Sequence, residues 1–345
     1  MYQPVYSKTS GQVDRTKKDG TEKVFLRTPK DDRVLKVSKD DLVISEPVTA
    51  EKISEKLECY GGCIVRNYLP VEDCDQILTD LRPHLDADVA WEGDFFPRET
   101  RRSCGTAVKS KTAAEKVLAH PLNLAVSNRF LAQENHFING DKLATGYSPA
   151  QHNSMITFDV GPGAKDQVLH RDDMLHHNIR HKMDKFEYGY ETAVGTVLGL
   201  TKTTKANGAT RFVPGSHLWD HLRKPTEEEC VYAELEKGDC FFMLASCFHG
   251  GSANTTKNEH RILTILFMTK GICRQEENIF LGTPLNYFKS LSIEALKALG
   301  LTTSEPFCGF YELKDPLSFL KEDFKSNDAS GDDLFTNSYP IVIDT

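Results

Sequence analysis

The sequence contains no long hydrophobic run. No apolar stretch approaches the roughly 18 residues of a membrane-spanning helix, so we expect no membrane segment. Residues 1–10 lack the basic and then apolar order of a secretion signal, and the chain ends in Ile343-Asp344-Thr345 rather than in a Ser-Lys-Leu peroxisomal signal. These absences predict a cytoplasmic protein.

Closely spaced cysteine pairs are also missing. The nine cysteines are scattered without a Cys-x-x-Cys motif, and Cys59 and Cys63 lack the further partners of a zinc site. Without a secretion signal, this pattern predicts reduced thiols. The net charge of −8 argues against general nucleic-acid binding. A hydrophobic content of 39% with 27% charged residues predicts a globular core.

The two ends of the chain differ in charge from its middle. Residues 1–40 carry ten Lys and Arg against six Asp and Glu, whereas residues 321–345 carry six acidic and two basic residues. We therefore divide the chain into a basic N-terminal arm over residues 1–46, a central domain over residues 47–305 and a C-terminal extension over residues 306–345 with an acidic tail.

Helical periodicity is found mainly in the first half of the central domain. Residues 71–85 have one apolar stripe, and residues 112–131 predict two short helices separated at Pro121. Thr49 is placed to cap an earlier helix. Residues 34–43 alternate weakly and predict a further strand.

The second half of the domain has the pattern of short strands separated by Gly, Pro and Asn. The predicted strands are residues 154–160, 193–200, 210–213, 231–235, 239–244 and 262–268. This pattern predicts a mainly β protein with flanking helices, whose core is an antiparallel double-stranded β-helix, the cupin-like jelly roll closed by two sheets. Such a barrel holds its site in the mouth.

Two short stretches carry the residue types of a metal site. His170 and Asp172 are two residues apart, so in an extended segment both side chains lie on one face. His249, in the sequence Cys-Phe-His-Gly-Gly, supplies a second imidazole. Two imidazoles and one carboxylate form the facial triad that binds Fe(II) and leaves positions open. Because His-x-Asp often arises by chance, Asp173 remains an alternative carboxylate.

Arg261 follows His249 by twelve residues. The guanidinium of Arg261 can bind a carboxylate through two parallel hydrogen bonds. It is therefore suited to hold the far carboxylate of 2-oxoglutarate while the keto-acid end of that molecule chelates iron.

Other histidines in this region are less suited to a metal. His177 and His181 have helical i, i+4 spacing but lack the Glu of the His-Glu-x-x-His motif. We interpret residues 174–190 as a loop over the substrate, with Met174 or Tyr190 as candidate contacts. His217 and His260 are expected to be structural or to support the ligands from behind.

The order of these motifs resembles the phytanoyl-CoA dioxygenase family of Fe(II)/2-oxoglutarate oxygenases. The resemblance covers roughly residues 50–300 and is closest to the fungal branch that oxidises alkaloids, meroterpenoids and other secondary metabolites, as verruculogen synthase does. The motifs are Gln167-x-x-His170-Arg171-Asp172-Asp173, Asn207-Gly208-Ala209-Thr210, Val213-Pro214-Gly215-Ser216-His217, Lys237-Gly238-Asp239 and His249-Gly250-Gly251 with Arg261.

The resemblance implies that residues 47–305 form a dioxygenase domain with Fe(II), 2-oxoglutarate and O2 as cofactors and ascorbate as an assisting reductant. It further implies that Gln167 and Thr210, with Arg261, contact 2-oxoglutarate. Succinate and CO2 are released while a C–H bond of a small natural product undergoes hydroxylation, desaturation, ring formation or rearrangement. Halogenases of this general class lack the carboxylate ligand, and Asp172 argues against that reaction.

Several alternatives stay open at this point. The substrate could be a fatty acyl-CoA that is hydroxylated at C2, or the chain could be a catalytically silent jelly-roll protein that only binds a ligand. Residues 91–106 form either a loop across the pocket mouth or a surface loop fixed by its aromatic side chains. Residues 292–299 either cap the pocket or pack on a partner subunit in a homodimer.

Overall fold

The computed structural model describes residues 14–18, 21–25, 35–93, 96–324 and 338–341. Most of the predicted basic arm and acidic tail lies outside these residues. The α-helices are α1 (Lys39–Leu42), α2 (Ala50–Tyr60), α3 (Val71–Asp86), α4 (Thr106–Lys109), α5 (Lys111–Ala113), α6 (Pro121–Leu131), α7 (Leu285–Lys289), α8 (Ile293–Ala298) and α9 (Leu317–Leu320). The strands are β1 (Asp14–Lys18), β2 (Thr21–Phe25), β3 (Gly62–Val65), β4 (Thr100–Ser103), β5 (Gln133–Asn139), β6 (Lys142–Ser148), β7 (Ala150–Val160), β8 (Ala193–Gly199), β9 (Thr210–Phe212), β10 (Val231–Ala233), β11 (Cys240–Leu244), β12 (His249–Gly251), β13 (Arg261–Lys270) and β14 (Ser338–Pro340).

The predicted helices are confirmed, with local causes at their ends. The Thr49 hydroxyl accepts the Lys52 N–H at the start of α2, which ends at Gly61 in the left-handed region. Helix α3 buries the predicted stripe. A π-helical turn follows α5. Helix α6 begins at Pro121, and proline suits this position because the N–H of a first helical residue has no partner within the helix.

The strand predicted for residues 34–43 is wrong for the residues that the structure describes. Helix α1 forms there because Ser38 and Asp41 cap its first turn through reciprocal hydrogen bonds. Only Val43 forms a β-bridge, with Ile64. A short-range capping pair thus outweighs a weak alternation of apolar residues.

The described strands form four sheets, so the expectation of a sheet-rich protein with flanking helices is confirmed. A six-stranded sheet has the order β3-β11-β8-β13-β7-β4, and a three-stranded sheet has the order β10-β9-β12. A second three-stranded sheet, β14-β6-β5, extends from the domain, and β1 pairs with β2. The strand pairs within these sheets are antiparallel. Strands β5 and β6 were not predicted, because their exposed residues are mostly polar.

Alternate residues of the six-stranded sheet enter two different cores. On β11, Cys240, Phe242 and Leu244 pack with the helices. Phe241 and Met243 point the other way and pack with Phe212 of the small sheet. The large sheet therefore lies between a helical layer and the small sheet, as the two-residue period of a strand requires.

Strands β7 and β13 form the longest strand pair, and side chains from both of them line the interior cavity. Their register places Val160 opposite Arg261 and Ser154 opposite Phe267. Asn153 is then left unpaired in a bulge, so that the next partners are His152 and Met268. The bulge reverses the facing direction of β7: Ser154 lies on the cavity side, whereas His152, two residues away, is paired with Met268 of the helical layer.

The C-terminal part covers the helical layer rather than the cavity. In α8, Ala295 and Leu296 are fully buried in the helical core. Ser292 at its start donates to Glu115, and no residue of 292–299 lines the described cavity. Among the described residues, no helix has the length and apolar character needed to cross a bilayer.

Candidate active site

Two predicted ligands, His170 and His249, face each other in an antiparallel bridge. The backbone N–H of His170 donates to the His249 carbonyl, and the reverse bond is made as well, both at 2.9 Å. His249 is the first residue of β12, which pairs with β9 of the small sheet. The two imidazole rings lie side by side, with centroids 4.6 Å apart.

Asp172 reaches the same point from a turn rather than from an extended strand. Its backbone has φ −90° and ψ −11° at the start of a 3₁₀ turn over Asp173–His176. The Asp172 N–H donates to the Ala245 carbonyl at 2.9 Å, which fixes the turn on the end of β11. The expectation of a fully extended His-x-Asp segment is therefore wrong at its second residue.

The three side chains converge on one point. The Nε2 atom of His170 lies 3.6 Å from the Asp172 carboxylate, and the Nε2 atom of His249 lies 3.2 Å from it. The ligand atoms of the trio all lie within 4.8 Å of one another, and among the described residues this is the one group that could hold a metal ion. Their role as ligands stays a prediction.

The hydrogen bonds of the two imidazoles fix which nitrogen faces the centre. Nδ1 of His170 contacts the Val168 carbonyl at 2.8 Å, and Nδ1 of His249 contacts the Cys247 carbonyl at 3.0 Å. A carbonyl only accepts, so each Nδ1 must carry the proton. The lone pair of each neutral imidazole is then on Nε2 and points towards the Asp172 carboxylate.

This convergence of acceptors shifts the pKa of each group. Burial lowers the pKa of His170, and the neighbouring His249 lowers it further. Burial opposes protonation of His249 as well, but the charge and hydrogen bond of Asp172 raise its pKa. Burial would raise the pKa of Asp172, yet the two imidazoles hold it below its usual value. The site thus favours an added positive charge.

The alternative carboxylate, Asp173, points elsewhere. It is buried, its carboxylate lies 3.6 Å from Arg180, and it accepts a hydrogen bond from Asn178. Arg180 also pairs with the buried Glu191 at 3.1 Å. Asp173 is therefore part of a structural ion-pair network, and Asp172 is the carboxylate that faces the histidines.

The remaining histidines lie away from this centre, as expected. Nε2 of the buried His217 lies 3.0 Å from the Glu58 carbonyl, and Nδ1 of His260 lies 2.7 Å from Asp159. His181 lies 3.7 Å from the exposed Glu187. Neither Met174 nor Tyr190 lines the described cavity, whereas Leu175 does.

Arg261 is a buried cation without a protein anion. It is 4% exposed, and its side chain makes no ion pair with any described residue. Its Nε atom has no hydrogen-bond partner. Burial alone lowers the pKa of the guanidinium to about 10. An unpaired buried cation is unfavourable, so this part of the cavity is suited to an anionic ligand.

Two glycines leave room beside the Arg261 guanidinium. A Cβ on Gly251 would lie 2.9 Å from the Gln167 Oε1 atom and 3.5 Å from Arg261. Gly208, at φ +104°, has its Cβ position 2.8 Å from the Ser252 carbonyl. Glycine at position 208 therefore also keeps a side chain away from the cation.

Gln167 and Thr210 lie next to the same space. The side-chain oxygen of Gln167 accepts the Gly251 N–H at 2.8 Å, which leaves its NH2 group as a donor. Thr210 is opposite Gly251 in the β9–β12 pair. Both residues line the cavity together with Arg261. Their contact with 2-oxoglutarate stays a prediction.

Arg211 is a buried residue that sequence reasoning missed. It donates to the carbonyls of Gln167 and Gly251, both at 2.6 Å, and pairs with Glu227 at 2.8 Å. It thereby fixes the segment before His170 onto β12. A lone arginine between Thr210 and Phe212 in a short strand gave no signal of this role.

The cavity beside the metal-ligand trio is large and mostly apolar. It encloses about 1050 Å³, counting space open to solvent. Aromatic and aliphatic side chains form its walls, among them Phe96, Phe158, Val197, Met243, Ile265 and Phe267. Its polar lining outside the predicted residues includes Ser154, Lys165 and Glu276, none of which was singled out from the sequence.

The described part of residues 91–106, which includes β4, agrees with both alternatives that the sequence allowed. Phe96, Pro97 and Thr100 line the cavity. The Arg102 guanidinium lies 5.3 Å from the Trp91 ring and 5.2 Å from the Phe96 ring, which fixes the loop. The aromatic side chains thus hold this loop at the edge of the cavity.

Comparisons with known proteins agree with the motif order. Residues 57–262 match the sequence pattern of the phytanoyl-CoA dioxygenase (PhyH) family. The chain is 37% identical over 305 residues to the uncharacterised protein YJR154W of Saccharomyces cerevisiae, covering 84% of this chain and 88% of that protein. It is also 37% identical over 281 residues to the dioxygenase peniF of Penicillium patulum, covering 81% and 91%. For the dioxygenase himG of Aspergillus japonicus, the identity is 36% over 281 residues, covering 78% and 86%.

A solved structure shares the fold. The epimerase SnoN, crystallised in complex with Fe3+, alpha ketoglutarate and nogalamycin RO, superposes with a TM-score of 0.50 at 16% sequence identity. The match covers 87% of this chain and 98% of that chain. At this identity the likeness concerns the fold alone.

Proposed function

Because the chain belongs to the phytanoyl-CoA dioxygenase family, we propose that it oxidises a C–H bond of a small natural product. It is a non-haem dioxygenase that uses Fe(II), 2-oxoglutarate and O2, with ascorbate as an assisting reductant. The products from the co-substrate are succinate and CO2. The proposed substrate class is a fungal alkaloid or meroterpenoid, and the outcome is hydroxylation, desaturation, ring formation or rearrangement.

The arrangement of acceptors at the trio carries this proposal. Two imidazole lone pairs and a carboxylate point at one another, and the Nδ1 protons are already used on backbone carbonyls. Such a set of acceptors requires a cation between them. His170, Asp172 and His249 would hold Fe(II), which is the metal that two imidazoles and one carboxylate with open positions typically bind.

Residues next to the trio would position the co-substrate. Arg261 would pair with the distal carboxylate of 2-oxoglutarate, which supplies the anion that this buried guanidinium lacks. The Gln167 amide and the Thr210 hydroxyl would add hydrogen bonds at the same end. Bound iron and 2-oxoglutarate supply the oxidising power for an unactivated C–H bond, and the apolar walls keep water away from that reaction.

We further infer that the large sheet and the β10-β9-β12 sheet are the two halves of a double-stranded β-helix. The shared core of Phe212, Phe241 and Met243 supports this reading. In a jelly roll the metal lies at the mouth between the two sheets. The position of the trio supports this reading, since His249 belongs to the small sheet and the Asp172 N–H donates to the Ala245 carbonyl at the end of β11.

Anaerobic spectroscopy tests the proposal against a catalytically silent barrel. Fe(II) and 2-oxoglutarate are added to the folded protein without O2, and a weak metal-to-ligand band in the visible range is expected. Protein without this band would be a silent binder. Incubation of the enzyme with extracts of a strain that lacks it then identifies the metabolite that disappears. If a fatty acyl-CoA is consumed instead, the substrate is a fatty acyl-CoA and the proposed substrate class is wrong.

A further inference from the structure

Glu276 is a carboxylate in the cavity that the proposed chemistry does not use. It lies after β13 in an irregular segment, and it lines the same cavity as the metal-ligand trio. Among the described residues, no Lys or Arg forms an ion pair with it. The charged or titratable groups that act on it are Asp172, which raises its pKa, and His176, which lowers it.

The position of Glu276 is fixed by the bulge in β7. Its backbone N–H donates to the Asn153 side-chain oxygen at 2.9 Å. Its Oε2 atom accepts from the Ser154 hydroxyl at 2.8 Å and from the Asn153 amide at 3.3 Å. Oε1 has no hydrogen-bond partner among the described residues. One oxygen is therefore held, and the other is available to a ligand.

Glu276 and Arg261 lie at opposite ends of one interior row of side chains. The row runs along β13 from Arg261 to Phe267, whose register partner is Ser154 beside Glu276. Six residues of strand correspond to about 20 Å. Lys165 precedes Gln167, which is bonded to Gly251 near Arg261, so this cation belongs to the other end.

The chemistry of this end suits a cation. A partly desolvated carboxylate without a cation is unfavourable, and burial raises the pKa of Glu276 for the same reason. A protonated amine would donate a charge-assisted hydrogen bond to Oε1. The Phe267 ring lies beside Ser154 in the row and could contact the positive charge through its face.

We infer that Glu276, held by Ser154 and Asn153, binds a protonated amine of the substrate at the end of the cavity opposite to Arg261. This inference rests on the proposed function and narrows its substrate class to compounds with a basic nitrogen. The amine fixes one end of the substrate, and the C–H bond to be oxidised lies between that end and the metal.

Matched pairs of small molecules test the inference on the full chain loaded with Zn(II) and 2-oxoglutarate. The pairs are tryptamine with tryptophol, and 4-phenylpiperidine with 4-phenyltetrahydropyran, in which only the basic nitrogen is replaced by oxygen. Dissociation constants are measured by saturation-transfer NMR. We expect each amine to bind at least about tenfold more tightly than its neutral counterpart, the lower range for a hydrogen bond to a charged group.

Two variants distinguish this site from a general effect of negative charge. In Glu276→Gln the preference for the amine should disappear. In Glu277→Gln it should remain, because Glu277 accepts the Met155 N–H and does not line the cavity. Thermal unfolding is used to check that both variants are folded.

Two results overturn the inference: a panel in which no amine binds more tightly than its counterpart, and a preference that persists in Glu276→Gln. Calorimetric titration of 2-oxoglutarate is an independent readout. If 2-oxoglutarate fails to bind while the Glu276-dependent amine preference remains, the proposed function is wrong and the amine site stands.

Discussion

The two faces of the six-stranded sheet are built from the same strands but differ in what they contact. The face towards the helices is filled by apolar side chains such as Phe242 and Leu266, which are fully buried. The face towards the small sheet is filled only in part, by residues such as Phe241. Its remainder lines the cavity with Arg261 and Ser154.

This difference shows how a strand can serve stability and chemistry at once. Alternate positions of β13 face the helical layer, where close packing determines the free energy of unfolding. The positions between them face the cavity, where unpaired polar groups are retained. Substitutions on the two faces should therefore have separable effects, and four experiments test that separation.

The largest effect is expected for Asp172→Ala, which should abolish 2-oxoglutarate turnover. Metal affinity should fall by more than about 100-fold, since losing a residue that merely supports a ligand already costs up to that much. The free energy of unfolding of the metal-free protein should be preserved, because among the described residues the ion-pair partners of the Asp172 carboxylate are the two imidazoles. Succinate release and metal titration measure the two quantities.

Asp173→Ala is the matched control for that experiment. This carboxylate is buried beside Arg180, so its removal should lower stability and leave the metal bound. Wild-type turnover by Asp172→Ala would show that the ligand set is wrong.

The next effect concerns packing on the helical face. Phe242→Ala should lower the free energy of unfolding by about 3–5 kcal/mol, because a fully buried ring is lost from a closed core. Phe158→Ala, on the cavity wall, should lower it less, since that ring borders open space. Urea unfolding of the metal-free variants gives both values. Equal losses would mean that the cavity face is packed as tightly as the helical face.

A smaller effect on binding is expected for Arg261→Ala. The dissociation constant of 2-oxoglutarate should rise by about 10- to 100-fold, the range for a hydrogen bond to a charged group. Stability of the metal-free protein should not fall, because the guanidinium is buried without an anion. Calorimetry measures the change. If only the affinity for the organic substrate fell, the assigned role of Arg261 would be wrong.

The smallest effect is a change in the pH dependence of stability. His152 is fully buried, and neither ring nitrogen has a hydrogen-bond partner among the described residues, although Nε2 lies 4.0 Å from the Glu277 carboxylate. Burial lowers the pKa of His152 to about 3. Below about pH 6.5 the unfolded chain takes up a proton that the folded chain refuses, so stability falls as the pH falls. His152→Leu should remove up to about 1.4 kcal/mol per pH unit of that slope.

Urea unfolding of His152→Leu and wild type at several pH values checks this slope. Binding of 2-oxoglutarate at neutral pH should be unaffected, because His152 does not line the cavity. An unchanged slope would mean that the pKa of His152 does not differ between the folded and the unfolded chain.

The strands and the metal-ligand trio could be predicted because their signals are local. Short runs rich in β-branched and aromatic residues, separated by Gly, Pro and Asn, marked β7, β8, β11 and β13 within a few residues of their ends. Together with the resemblance, the motif order identified His170, Asp172 and His249, which the structure brings together. The choice between Asp172 and Asp173 depended on the turn geometry, which spacing alone does not determine.

Other features depend on contacts between distant residues and left no local signal. Glu276 is one acidic residue among many until Asn153 and Ser154, more than a hundred positions earlier, are placed beside it. Arg211 has its role only because Gln167 and Gly251 are adjacent in the fold. The α1 helix depended on a capping pair that competed with a weak strand pattern.

The bulge at Asn153 sets one end of the cavity-facing row of β7. Because β7 changes its facing direction there, its row of cavity-lining side chains, which starts at Val160, ends at Ser154. A shift of this irregularity by two residues along β7 would lengthen or shorten the chamber by about 7 Å. The extent of the cavity along β7 thus depends on the position of a single extra residue, and a change there would leave His170, Asp172 and His249 in place.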